Sequence, residues 1–174
     1  MHNKVVYQTA KSLDAISVPV LRFNFRGAGL SAGEHDRGRG ELDDVRAGLD
    51  FLSREFPAAL LLICGFSFGC WVGLRVGCVD DRVTELIGLG TPVNNTDFSF
   101  LRSCVKPKLF VHGANDEHGE VAKVETLVGT LPGENRLVVV SNADHFFAGR
   151  LSELDNAVRA WVTQHHPQLA TYIS

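Results

Sequence analysis

The sequence predicts an α/β fold: a three-layer sandwich in which a mostly parallel sheet is covered by helices on both faces. Two observations carry this. Short apolar runs of strand length alternate along the chain with segments whose apolar residues step by three and four. The longest apolar stretch, Ala58 to Val79, is broken by Gly65 where a strand must become a helix. With 174 residues and 45% hydrophobic content, the chain is long enough for a single domain, 1–174, with a sizeable core.

Val5, Val6, Ala10, Leu13 and Ile16 give a first helix its apolar face. Val18 to Phe25 reads as a strand, with Pro19 near its start where proline is tolerated. A glycine-rich loop from Gly27 to Gly40 follows. Leu42, Val45, Leu49, Leu52 and Phe56 predict a helix over Glu41 to Phe56, with Asp43 and Asp44 suited to its positive end and Pro57 as its stop. Leu60 to Cys64 is the second strand. The helix after Ser67 carries Gly69, Gly73 and Gly77 every fourth residue. Each interior glycine costs about 1 kcal/mol in helix propensity, so the stripe implies close packing against a sheet. Leu86 to Leu89, Leu109 to His112 and Leu137 to Val140 are three more short apolar strands, five in all. Val121, Val124, Val128 and Leu131 line the helix after the fourth, and Leu151, Leu154, Val158 and Trp161 the helix after the fifth.

Composition excludes several function classes. The formal charge is −3 and no long basic run occurs, so no nucleic-acid partner is expected; Arg37-Gly38-Arg39 reads as a solvated loop. Cys64, Cys70, Cys78 and Cys104 form no C-x-x-C pair, so no metal and no cofactor is expected, and the thiols read as buried and reduced. Met1-His2-Asn3-Lys4 leads into an amphipathic pattern rather than a signal peptide, which predicts a cytoplasmic location. Ala58 to Val79 is long enough to span a bilayer, but Arg75 would cost roughly 2.5–3.5 kcal/mol there, so no membrane partner is expected.

The chemistry concentrates at Gly65-Phe66-Ser67-Phe68-Gly69, a G-x-S-x-G elbow that lifts a serine hydroxyl above the sheet. By composition, these five letters recur in about one chain in twenty of this length, so their placement between strand and helix carries the signal. In a parallel sheet, function collects beyond the carboxyl ends of the strands. Ser67 follows the second predicted strand, Asp116 the fourth and His145 the fifth, all at the same end. A serine hydroxyl needs a neutral imidazole to take its proton, and the imidazole needs a carboxylate to fix its tautomer. Asp144 is adjacent to His145 and so poorly placed to orient it, whereas Glu117 competes directly with Asp116. The backbone N–H of Phe68 suits a developing oxyanion. His112 reads as structural, and His2, His35, His118, His165 and His166 as polar surface residues. Phe66, Phe68, Phe146 and Phe147 flank these residues; Phe66 and Phe146 are the candidates for an apolar pocket.

On these residues the chain resembles the α/β-hydrolase superfamily. More narrowly, it is similar to the small bacterial lidless serine hydrolases with the signature F-N-F-R-G-x-G-x-S, here Phe23 to Ser31, continued by Gly33, Asp36, Gly38, Gly40 and Glu41. The resemblance implies an α/β-hydrolase fold without a cap domain and a triad of Ser67, Asp116 and His145. It also implies a small-molecule acyl substrate: a carboxylesterase-like enzyme that cleaves a small ester or related acyl bond through an acyl-serine. In the family an earlier segment supplies several strands and a histidine- and glycine-containing loop, and Met1 to Val6 looks like the end of that loop. The expectation is therefore an N-terminally truncated fold, with Met1 an internal methionine. By family topology the strand before the first helix is central, so without it the strands at 18–25 and 60–64 either close up or fold poorly. The missing loop would also supply the second oxyanion donor, whose loss costs about 10²–10³ in rate. A weakly active or non-catalytic binding module is thus the alternative function. An exposed sheet edge would template pairing, with a homodimer or aggregation as the outcome.

Overall fold

A computed structural model describes residues 3–172; Met1 and His2 lie outside the described residues. Its elements are α1 (Lys4–Asp14), α2 (Glu41–Glu55), β1 (Leu61–Phe66), α3 (Phe68–Val79), β2 (Val83–Leu89), a 3₁₀ turn (Ser99–Ser103), β3 (Lys108–Gly113), α4 (Val121–Gly129), β4 (Asn135–Val140), α5 (Leu151–His165) and a second 3₁₀ turn (Pro167–Tyr172). The sheet has four parallel strands in the order β1-β2-β3-β4, so each strand pairs with the next along the chain.

Side-chain alternation sends each strand's apolar residues to two cores. Leu86 and Phe110 pack on one face with Val45, Leu49, Val72, Leu74 and Val124 of α2, α3 and α4. Ile87, Leu89, Leu109 and Val111 pack on the other with Val5, Leu13, Val158 and Trp161 of α1 and α5. The crossovers through α3, the first 3₁₀ turn and α4 contribute to the same core. A sheet wound in one direction by crossovers of one hand requires this. No helix of the described residues is long and apolar enough to cross a membrane.

The sheet holds four strands rather than the expected five. Residues 18–25 run without helix or strand, as does the whole stretch from 15 to 40. They have strand composition but no strand beside them, and a strand is defined by its partner's hydrogen bonds. The segments at 18–25 and 60–64 do not close up into a pair. Instead β1 pairs with β2 alone, and 18–25 leans on the two cores through Val18 and Phe25, the Phe25 ring meeting Phe23 edge to face at 5.4 Å. Val20, Leu21 and Phe23 remain 40%, 37% and 41% exposed. The predicted helix at Glu41 ends one residue early, at Glu55, before Phe56. In α1, Val6 lies outside the buried stripe.

The glycine stripe of α3 has the expected cause at two of its three positions. A Cβ on Gly77 would lie 2.4 Å from Leu86 Cδ2, and one on Gly73 3.0 Å from Ile63 Cγ2. Gly69 is different, as its Cβ would meet only Phe25, at 3.8 Å.

Candidate active site

The elbow is built by β1 and α3 meeting head-on. Ser67 has φ 52° and ψ −118°, in the left-handed half of backbone space that side-chain-bearing residues avoid. The turn is held by Ser67 N–H donating to Leu89 O at 2.9 Å, and by Cys70 N–H donating back to Ser67 O at 2.9 Å. Gly65 is needed sterically: a Cβ there would come within 2.3 Å of Gly69 O. The crowding at the elbow belongs to Gly65 and not to Gly69.

The structure brings Ser67, His145 and Asp116 together at the carboxyl ends of β1, β4 and β3. Ser67 Oγ lies 2.8 Å from His145 Nε2, and His145 Nδ1 lies 2.8 Å from Asp116 Oδ2. His145 and Asp116 are buried, at 2% and 6% exposure. Burial pushes the Asp116 carboxyl up, but hydrogen bonds from His145 and the His118 N–H, with the nearby imidazoles of His145 and His112, outweigh it and hold the group below the usual carboxylate range. Asp116 is therefore an ionised acceptor aimed at His145 Nδ1, which leaves Nε2 as the basic nitrogen facing the serine.

The competing carboxylates are separated by geometry. Glu117 is exposed, its Oε1 3.6 Å from His118 Nε2. Asp144 Oδ1 accepts from the Phe146 and Ala148 N–H groups at 3.0 and 2.9 Å, so it shapes the loop after His145. Phe68 opens α3, where its N–H has no partner one turn back in the helix, and Ser67 provides no side-chain cap. Phe66 and Phe146 both touch the His145 ring, at centroid distances of 4.9 and 5.2 Å. The Phe68 ring turns away onto Phe25, Trp71 and His35, and Phe147 is fully buried.

Two histidines read as surface residues are tied to the site. The His118 ring stands edge to face against His145 at 4.3 Å. His35 Nδ1 lies 2.7 Å from Glu41 Oε1, and Glu41, fully buried, also accepts from the Asp36 and Gly38 N–H groups at 2.8 Å each. Elsewhere, His166 contacts the buried Glu85 carboxylate and His165 stacks on Trp161. The contacts of His118 with His145 and of His166 with Glu85 join residues far apart in sequence, and no local pattern announces them. His112 is structural, as expected: its Nδ1 accepts from Thr91 N–H at 3.2 Å and its Nε2 donates to Gly119 O at 2.7 Å. Burial pushes the Cys64 and Cys70 thiols up to about 12, so neither is a thiolate nucleophile near neutrality. Among the described residues no group of three His, Cys, Asp or Glu side chains is arranged to hold a metal.

No family model matches the chain. An uncharacterized protein of Rickettsia prowazekii is 36% identical over 171 residues, covering 93% of this chain and 72% of the relative. An alpha-beta serine hydrolase homologue from Coxiella burnetii superposes with a TM-score of 0.85 at 38% identity, covering 92% of this chain and 77% of that one. A Xanthomonas campestris protein, described as an α/β serine hydrolase without lid, superposes with a TM-score of 0.87 at 35% identity, covering 94% and 74% of the two chains.

Proposed function

Because this chain belongs to the α/β serine hydrolases without a lid, we propose that it cleaves a small carboxylic ester or related acyl bond through an acyl-serine intermediate. The observation that carries this reading is the continuous hydrogen-bonded line from Ser67 Oγ through His145 to Asp116, with both links at 2.8 Å. In the proposed sequence, Ser67 Oγ attacks the acyl carbon as its proton passes to His145 Nε2. Asp116 accepts the Nδ1–H bond throughout and stabilises the imidazolium. Phe68 N–H donates to the oxyanion. The imidazolium then protonates the departing oxygen, and water releases the acyl group by the same route in reverse.

The test is a fluorophosphonate probe followed by mass spectrometry, run beside hydrolysis of a short p-nitrophenyl ester. An adduct on Ser67, together with ester turnover lost in Ser67→Ala, is the expected result. An unmodified Ser67 in folded protein would sink the reading. One observation favours a second reading, a binding module of little or no turnover: the strand that carries Ser67 is paired on one side only. An elbow held this way has less support for its strained serine. Retained ester binding without any adduct would favour that reading.

A further inference from the structure

We propose that His118 lines the leaving-group side of the site and selects esters of polar, hydroxyl-bearing alcohols over esters of plain alkyl alcohols. This inference rests on the acyl-serine reading above.

The chemistry fixes where the leaving group must be. His145 Nε2 takes the Ser67 proton and hands it to the departing oxygen, so that oxygen sits within hydrogen-bond reach of Nε2. Side chains stacked on the His145 ring therefore border the departing alcohol. Three rings meet His145: Phe66 at 4.9 Å, Phe146 at 5.2 Å and His118 at 4.3 Å. Phe66 and Phe146 also meet each other at 5.9 Å and make a continuous hydrocarbon wall. Of the three, only His118 carries hydrogen-bonding atoms.

Its placement is fixed from the backbone. His118 N–H donates to Asp116 Oδ1 at 2.8 Å, and its C=O accepts from Asn94 N–H at 3.1 Å. Asn94 Nδ2 also donates to Glu117 O at 3.2 Å. The ring is thus held against the reacting imidazole by bonds that use none of its own nitrogens. The side chain is 46% exposed, and the polar group recorded near its Nε2 is Glu117 Oε1, at 3.6 Å, beyond good hydrogen-bond length. An imidazole held beside the general base, part-exposed and with its nitrogens outside any hydrogen bond of good length, suits an alcohol that carries a second polar group. An alkyl alcohol gains nothing from it.

The test uses two esters of one short acyl group, one made with glycerol and one with a size-matched alkyl alcohol. kcat/KM is measured for both in wild type, His118→Phe and His118→Gln. A common deacylation rate from the two esters certifies that they form the same acyl-serine. A typical net hydrogen bond corresponds to roughly 3–10-fold. His118→Phe, which keeps a ring on His145, is expected to lower the glycerol-to-alkyl ratio by about that factor, and His118→Gln to restore most of it. A structural role lowers both esters in step and leaves the ratio unchanged, and that result overturns the proposal. If neither ester forms an acyl-serine in wild type, the hydrolase reading falls and this proposal with it. Acyl-serine formation with an unchanged ratio overturns the role of His118 alone.

Discussion

At the scale of single residues, the site depends on which carboxylate faces the imidazole. Asp116 Oδ2 lies 2.8 Å from His145 Nδ1, while Glu117 points to solvent. Asp116→Asn should therefore cost roughly 10³–10⁴ in kcat, since the amide favours the wrong imidazole tautomer. Glu117→Gln should stay within about twofold, as surface substitutions usually do. Ester hydrolysis by the two purified variants checks this, and equal losses would contradict the assignment. The pH dependence follows from the same carboxyl. The pKa of Asp116 is held below the usual range, so it loses its proton at lower pH than an ordinary aspartate. Its carboxylate is thus already formed across the working range, and the acid limb of kcat/KM should fall with a slope of one proton. A slope of two would show a second group titrating with the first. The sequence narrowed this choice to two adjacent residues, and only the direction of the side chains separates them.

At the scale of elements, the elbow and the α1–α5 contact make separate predictions. A Cβ on Gly65 would lie 2.3 Å from Gly69 O in the first turn of α3, whereas one on Gly69 would meet only Phe25, at 3.8 Å. Gly65→Ala should distort the strand–helix junction, with a cost of at least about 1–3 kcal/mol and loss of probe labelling at Ser67. Gly69→Ala should fold and gain up to about 1 kcal/mol of helix propensity. Chemical denaturation of the pair decides it, and a Gly69→Ala protein as damaged as Gly65→Ala would refute the distinction. The elbow was legible because its glycines, apolar strand and apolar helix are contiguous.

The contact between α1 and α5 was not legible, because it joins residues 147 apart. Gln8 Nε2 donates to Asp155 Oδ2 at 2.6 Å, and Asp155 Oδ1 is buried without a hydrogen-bond partner. Burial pushes the Asp155 carboxyl up, against the smaller opposing pull of Gln8 and the charges of Arg159 and Lys11. A carboxyl with a raised folded pKa binds its proton more tightly folded than unfolded. Its contribution is best at acid pH and is lost as pH rises from the ordinary carboxylate range through the folded value. Asp155→Asn should thus raise Tm at pH 7.5, by about 2–4 °C for each kcal/mol recovered. The gain should shrink as pH is lowered into the carboxylate range, where the wild-type group takes up its proton. A lower Tm at pH 7.5 would show that the charge is wanted.

At the scale of the whole molecule, the sequence anticipated the four strands and five α-helices found among the described residues, and missed at 18–25. The four strands that formed have neighbours supplied by the chain on at least one side. The 18–25 segment has the composition of a strand and no neighbour, and composition does not record whether a neighbour exists. The consequence reaches the whole stretch from 15 to 40, which has neither helix nor strand, although Arg26 is anchored to Asp44 at 2.8 Å. Proteases cut where about a turn or more of backbone can be drawn out, and such segments open with the least free energy. Trypsin under native conditions should therefore cut first after Arg37 or Arg39, both exposed. Amide deuteration should be slowest in β2 and β3, whose residues are almost wholly buried. Ser67, Asp116 and His145 all lie on the carboxyl side of that cut, so the nicked molecule would carry its full set of reacting groups on one fragment.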